Sequence, residues 1–134
     1  MSNAATLAAT LVAGPQQVQD SQFPSSTLNV PFGLNPPTKA YNVDTGAQTP
    51  QVNSPSSFVT LSGIGTGQTV TQATTLYVRC LVPMQIRLTF QGDATPKVIY
   101  LQGVLLLEAS VAAPITLLEA QGAGQVEFWA AGNQ

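Results

Sequence analysis

From Met84 to Gln91 apolar and polar residues alternate without a break: Met84, Ile86, Leu88 and Phe90 on one side, Gln85, Arg87, Thr89 and Gln91 on the other. This is the period of a strand with one dry face, and it excludes a helix over that stretch. The run before it, Leu76, Val78, Cys80 and Val82 against Tyr77, Arg79 and Leu81, carries apolar residues on both faces. It therefore belongs deeper in a sheet or beneath a second one. Pro83 separates the two runs, and because proline donates nothing to a ladder it marks a bulge, a bend or an edge.

Downstream of Ser57 the same grammar repeats in short segments. Strands are expected at Phe58 to Leu61, Thr69 to Thr71, Thr75 to Val82, Met84 to Gln91, Lys97 to Leu101, Val104 to Glu108, Ile115 to Ala120 and Val126 to Ala130. Gly63 to Gly67, Gly92 to Pro96, Gln102-Gly103, Ala113-Pro114 and Gly122 to Gly124 read as the reversals between them. No long helical period competes with this pattern. The expected class is all-β, an antiparallel β-sandwich, a jelly-roll-like domain or a small barrel. On the last strand Val126 and Phe128 should face the core and Glu127 and Trp129 should face outward. Val104 to Leu107 is apolar at every position, which predicts cover on both sides, by the second sheet and by the arm or a partner.

Residues 1–56 read differently. Seven of the ten prolines fall there, among Ser, Thr, Asn and Gln, with Asp20, Lys39 and Asp44 as the charges. Proline blocks a helix interior, and such a polar tract closes no core of its own. The expected organisation is an extended Pro-rich N-terminal arm over residues 1–56 and a β-sandwich domain over 57–134. The alanines of the opening AATLAATLVA suit a short helix, while Thr6, Thr10 and Val12 suit a strand. Ordering some fifty arm residues costs on the order of 1 kcal/mol each in backbone entropy, so their shape must come from docking. Phe23, Leu28, Val30, Phe32, Leu34, Tyr41 and Val43 are spaced to dock singly, on this chain's domain or on a neighbouring subunit.

Charge narrows the function. Asp, Glu, Lys and Arg make up 7% of the 134 residues, against about 25% in ordinary soluble domains. A free monomer relies on surface charge to stay apart from its neighbours, so much of this surface is expected to lie under other protein. Four basic residues against six acidic ones, a net charge of -2, leave no basic stripe for phosphates, and direct nucleic-acid binding is not expected. The apolar tract Ala4 to Ala13 is too short and too interrupted by Thr6 and Thr10 to span a membrane. Cys80 is the single cysteine, set in an apolar run, and reads as a small buried hydrophobe.

The chain has no histidine, which removes the usual general base, the commonest metal ligand and the ordinary nucleophilic triads. The carboxylates Asp20, Asp44, Asp93, Glu108, Glu119 and Glu127 are scattered, and Asp93 sits in a turn where Asp serves the backbone. No enzyme, metal or cofactor is expected. Gly63, Gly65 and Gly67 lack the lysine and following helix of a phosphate loop. Arg79 and Arg87 are expected to share a face, solvated or paired with Glu108 or Glu127, with an intersubunit contact as the alternative. Trp129 either packs beneath the arm or anchors a protein interface.

A low-charge β domain with a proline-rich arm and a carboxy-terminal hairpin such as ITLLEAQGAGQVEFWAAG resembles the small structural proteins of tailed-bacteriophage particles, in particular capsid decoration or cement proteins. The resemblance implies a non-enzymatic virion protein, located on the capsid surface in many copies. It would act as a small homo-oligomer that binds the major capsid protein or other virion subunits and stabilises the shell. The side chains expected at such contacts are Phe23, Val30, Phe32, Leu34, Tyr41 and Trp129. A second class stays open: a tail or fibre recognition module for carbohydrate or a host surface, with Tyr77, Tyr100 or Trp129 reachable by solvent.

Overall fold

The structure, a computed structural model, describes residues 3–13 and 28–133. They form seven strands: β1 (Asn3–Ala13), β2 (Leu28–Tyr41), β3 (Val43–Asp44), β4 (Gln51–Thr60), β5 (Gln72–Phe90), β6 (Lys97–Glu108) and β7 (Ile115–Asn133). The chain divides into a smaller unit, Ala4–Ala40, and a larger one that begins at Tyr41.

In the smaller unit β1 pairs with β2 as a two-stranded sheet. The alanine-rich opening is therefore a strand, and its exposure alternates as a strand's does, with Ala5, Leu7 and Ala9 half-buried between exposed neighbours. Pro31, Pro36 and Pro37 lie in β2, which is tolerable because a strand in a two-stranded sheet has a free edge that needs no donors.

The larger unit is one antiparallel sheet in the order β3-β7-β5-β6, with β4 also on β7. β3 and β4 are successive pieces of one edge. Val43 is opposite Gly132, Gln51 opposite Gln125 and Thr60 opposite Glu119. Gln48 and Phe128 exchange two backbone hydrogen bonds between those pieces, at 2.8 and 2.9 Å. The sheet thus begins at Val43, and the boundary expected between residues 56 and 57 falls inside β4. Pro55 sits in β4 and Pro50 immediately before it, both on this edge.

Several expected reversals are bends within longer strands. Thr75 to Val82 and Met84 to Gln91 merge into β5, with a register shift between Cys80 and Met84 where Pro83 stands. Gln102-Gly103 lies inside β6 and Gly122 to Gly124 inside β7. The glycines supply positive φ at these bends, +108° at Gly103 and +144° at Gly122. Glycine serves a strand bend as readily as a turn. Thr69 to Thr71 is no strand; Val70 makes an isolated bridge to Ile64.

These bends fold the sheet over on itself. Ala73 pairs with Gly132 near the end of β7 and also with Ile115 at its start. Leu76, Val78 and Cys80 before the bend and Met84, Ile86 and Leu88 after it enter one core, together with Val126, Phe128 and Ala130 from one half of β7 and Ile115, Leu118 and Ala120 from the other. The result is a β-sandwich whose two layers are halves of the same strands. Val126 and Phe128 face inward as expected, and Glu127 and Trp129 are half-buried on the outer side.

Candidate functional site

Because the inner residues of both layers converge on one core, the outer residues point apart. Arg79 lies before the bend in β5 and Arg87 after it, so the two arginines occupy outer faces of different layers rather than sharing one. Each layer carries its own cluster.

On the first layer Tyr77 stands opposite Trp129 and Arg79 opposite Glu127. The Tyr77 hydroxyl donates to Glu127 Oε1 at 2.9 Å. Burial, reinforced by that acceptor, raises the Tyr77 pKa above its ordinary value. Tyr41 lies across this face, its hydroxyl hydrogen-bonded to Thr75 Oγ1 and its ring edge-on to Trp129 with centroids 6.3 Å apart. Thr75 is consequently 1% exposed although it is an outer-face residue. Tyr41 is itself buried and packs within its own unit. Trp129 is covered by Tyr41, a residue that the sequence placed in the arm.

On the second layer Arg87 Nε donates to Glu119 Oε2 and its Nη2 to Oε1, both at 2.7 Å. The guanidinium carbon lies 4.2 Å from the centre of the Phe58 ring. The partner is Glu119, directly opposite in register, and not Glu108 or Glu127. Hydrogen bonding to Glu119 raises the Arg87 pKa. Planar charge-assisted pairing of this kind fixes geometry as well as charge.

Asp93 and Asp44 are placed structurally too. Asp93 accepts from the Thr95 backbone at 2.9 Å and pairs with Lys97 at 3.0 Å, the backbone donor first and the ammonium second holding its pKa below the ordinary value. Asp44 accepts from Gly46 N at 2.9 Å. Among the described residues no three of His, Cys, Asp and Glu are grouped to hold a metal ion. Cys80 is fully buried, which raises its thiol pKa. Among the described residues no helix is long and apolar enough to cross a membrane.

What the larger unit leaves open is β6. It pairs with β5 on one side, and among the described residues no strand pairs with its other side. Ile99, Leu101, Leu105 and Leu107 pack on the core. Val98, Tyr100 and Val104 point outward at 43%, 81% and 60% exposure. Within the larger unit the outer side of Val104 is open, while Leu105, Leu106 and Leu107 are half-buried. Leu81 and Val82, at the bend of β5, are exposed as well. Beside them Pro55, Pro83, Tyr100, Gln85, Gln102 and Gln121 line a cleft of about 390 Å³, with Gln121 Nε2 tied to Pro55 O at 3.0 Å. No charged side chain lines it.

Of the contact residues expected in the arm, Phe32 is half exposed and Leu34 is buried. Val30 lies in β2, and Phe23 falls outside the described residues. Phe32, Leu34 and Pro37 share a second cavity, of about 540 Å³, with Leu7 and Thr10 of β1. Tyr41 and Trp129 are brought together; Phe32 and Leu34 belong to the other unit. The sequence missed the β6 edge, for which the signal was available: no charge and no proline from Val98 through Leu107.

No family model, no curated protein and no solved structure matches this chain.

Proposed function

We propose that the chain is a non-enzymatic structural subunit of a virion, a decoration or cement protein that binds and stabilises a protein shell through its β domain and its N-terminal segment. The observation that carries this reading is the open edge of β6, twelve residues long, uncharged along its middle and lined with exposed Val98, Tyr100 and Val104. Soluble proteins that stay monomeric blunt such edges with lysine, proline or a cover. An edge left unblunted suits a protein that is covered on assembly, as the low overall charge also suggests. The described carboxylates discussed above are tied into turns, a cross-strand ion pair and a tyrosine contact, which favours a mechanical role over a catalytic one.

The test is to raise antibody against the larger unit and apply it to intact particles from the source of the sequence, then to produce particles with the chain lacking residues 4–40. Surface labelling, with a lower shell melting temperature for the deletion, is expected. Unlabelled particles would remove the proposal.

A second reading has its own observation. The Tyr100 cleft joins an exposed aromatic face to three glutamine amides without charge, a combination suited to neutral sugars, and it favours a tail or fibre module that recognises carbohydrate on a host surface. Glycan-array binding that is lost on Tyr100→Ala would support it, and an array without signal would exclude it.

A further inference from the structure

We propose that β6 pairs with β6 of a second copy, antiparallel, about a two-fold axis that passes through Gln102. The inference rests on the same open edge that the shell-binding reading uses and assigns its occupant; it is tested on the purified chain alone, so its failure is distinguishable from a failure to bind shells.

The two edges of the larger sheet are not alike. The edge made by β3 and β4 carries Pro50 and Pro55 and is broken by a register shift between Ser54 and Val59, devices that discourage strand addition. The β6 edge has none of them: VIYLQGVLLL, residues 98–107, contains neither charge nor proline.

The outer face fixes the register. Val98, Tyr100, Val104 and Leu106 lie opposite Arg87, Gln85, Arg79 and Tyr77 of β5, all outer-face residues, and exposed Gln102 continues the series. Directly opposed residues in an antiparallel pair share a face. With Gln102 on the axis, Val98 faces the second copy's Leu106, Tyr100 faces its Val104, and Gln102 faces Gln102. Every apolar residue of the stripe then meets an apolar residue, and the one polar pair sits at the centre, amide to amide. A register one residue away would set outer against inner side chains.

The bend supports the same axis. β6 folds with the sheet at Gly103, adjacent to Gln102. A two-fold axis normal to the sheet at that point carries the curvature of one strand onto the other with the same sense. Both layers of the sandwich can therefore continue from one copy into the next, and an isologous contact of this kind closes as a dimer.

The experiment is sedimentation velocity at low salt on wild type, Gln102→Lys, Gln102→Glu and an equimolar mixture of the two variants. Gln102 is exposed, so both variants should keep the wild-type melting curve when dilute, which separates lost association from lost folding. Wild type is expected to dimerise. Each variant sets like charges across the axis and should weaken association by about fivefold; the mixture should recover it. A monomeric wild type overturns the proposal, including the case in which the monomer still binds shells, since β6 then takes another protein's strand. Variants that dimerise like wild type place the contact elsewhere, and a mixture that fails to recover rejects the two-fold register.

Discussion

Gln72 and Gln91 flank opposite ends of β5, yet Gln72 Nε2 donates to Gln91 Oε1 at 3.1 Å. Drawn straight, a strand of that length would hold its ends some 60 Å apart. The contact exists because β5 turns back at Leu81 to Pro83 while its neighbour β7 bends at Gly122 to Gly124, and both halves then bury their inner side chains in one core. The fold is a single sheet doubled over, and its stability depends on what permits the doubling.

Gly132→Ala should destabilise the larger unit most among its glycine substitutions. A Cβ there would overlap the backbone carbonyl oxygen of Gln72, where β7 closes against β5. Neither backbone can retreat without breaking ladder bonds, so a loss at or above about 3 kcal/mol is expected in chemical denaturation. Gly122→Ala meets only the flexible Met84 side chain but must hold φ near +144°, and about 1–2 kcal/mol is expected.

Glu119→Gln should cost about 2 kcal/mol in the same measurement, because it converts a two-bond carboxylate acceptor into a neutral amide that cannot satisfy both guanidinium donors. Glu119 is 10% exposed and Arg87 32%, so solvent cannot fully replace the lost partner. Phe58→Leu should cost less, removing only the ring beneath the guanidinium.

A chain of residues 41–134 should fold cooperatively and keep the native emission of Trp129, the single tryptophan. A chain of residues 57–134 should not. The shorter piece lacks Tyr41, which covers Trp129 and Thr75, and lacks the strand that satisfies β7 from Gly122 to Gly132. Equal melting of the two would contradict the register along β7.

Stability should fall at both ends of the pH scale for identifiable reasons. The Asp93 pKa is depressed, so its contribution is present above the ordinary aspartate range near pH 4 and is lost as pH falls through the lower folded value. Asp93→Asn should flatten that acid limb. The Tyr77 pKa is raised, so its contribution is full below the ordinary tyrosine value of about 10 and is lost as pH rises through the higher folded value. Tyr77→Phe should flatten the alkaline limb.

The inner face was legible because alternation is a direct imprint of burial: Met84, Ile86, Leu88, Val126 and Phe128 all lie where their period puts them. The bends were not, since Gly103 and Gly122 offer the same left-handed freedom to a bend as to a reversal, and local sequence does not choose between them. Pro50 and Pro55 pointed to an arm because proline is read as a strand breaker, whereas an edge strand tolerates it on the side that pairs with nothing. The Arg87 partner was hidden for a third reason. Three glutamates lie in or at the ends of candidate strands, and register, which selects Glu119, is set by pairings remote in sequence. For the outer side of β6 the apolar pattern of Val104 to Leu107 was visible and called for cover by the arm or a partner, but not for an open edge, because which strand ends a sheet depends on pairings remote in sequence.

The most direct measurement is amide hydrogen exchange along Lys97–Glu108, compared between dilute chain and the assembled form. Amides of β6 that point away from β5 should exchange rapidly when dilute and slow markedly on assembly, while those bonded to β5 stay protected in both. If the outward amides exchange at the same rate in the two states, β6 is not the edge through which this protein assembles.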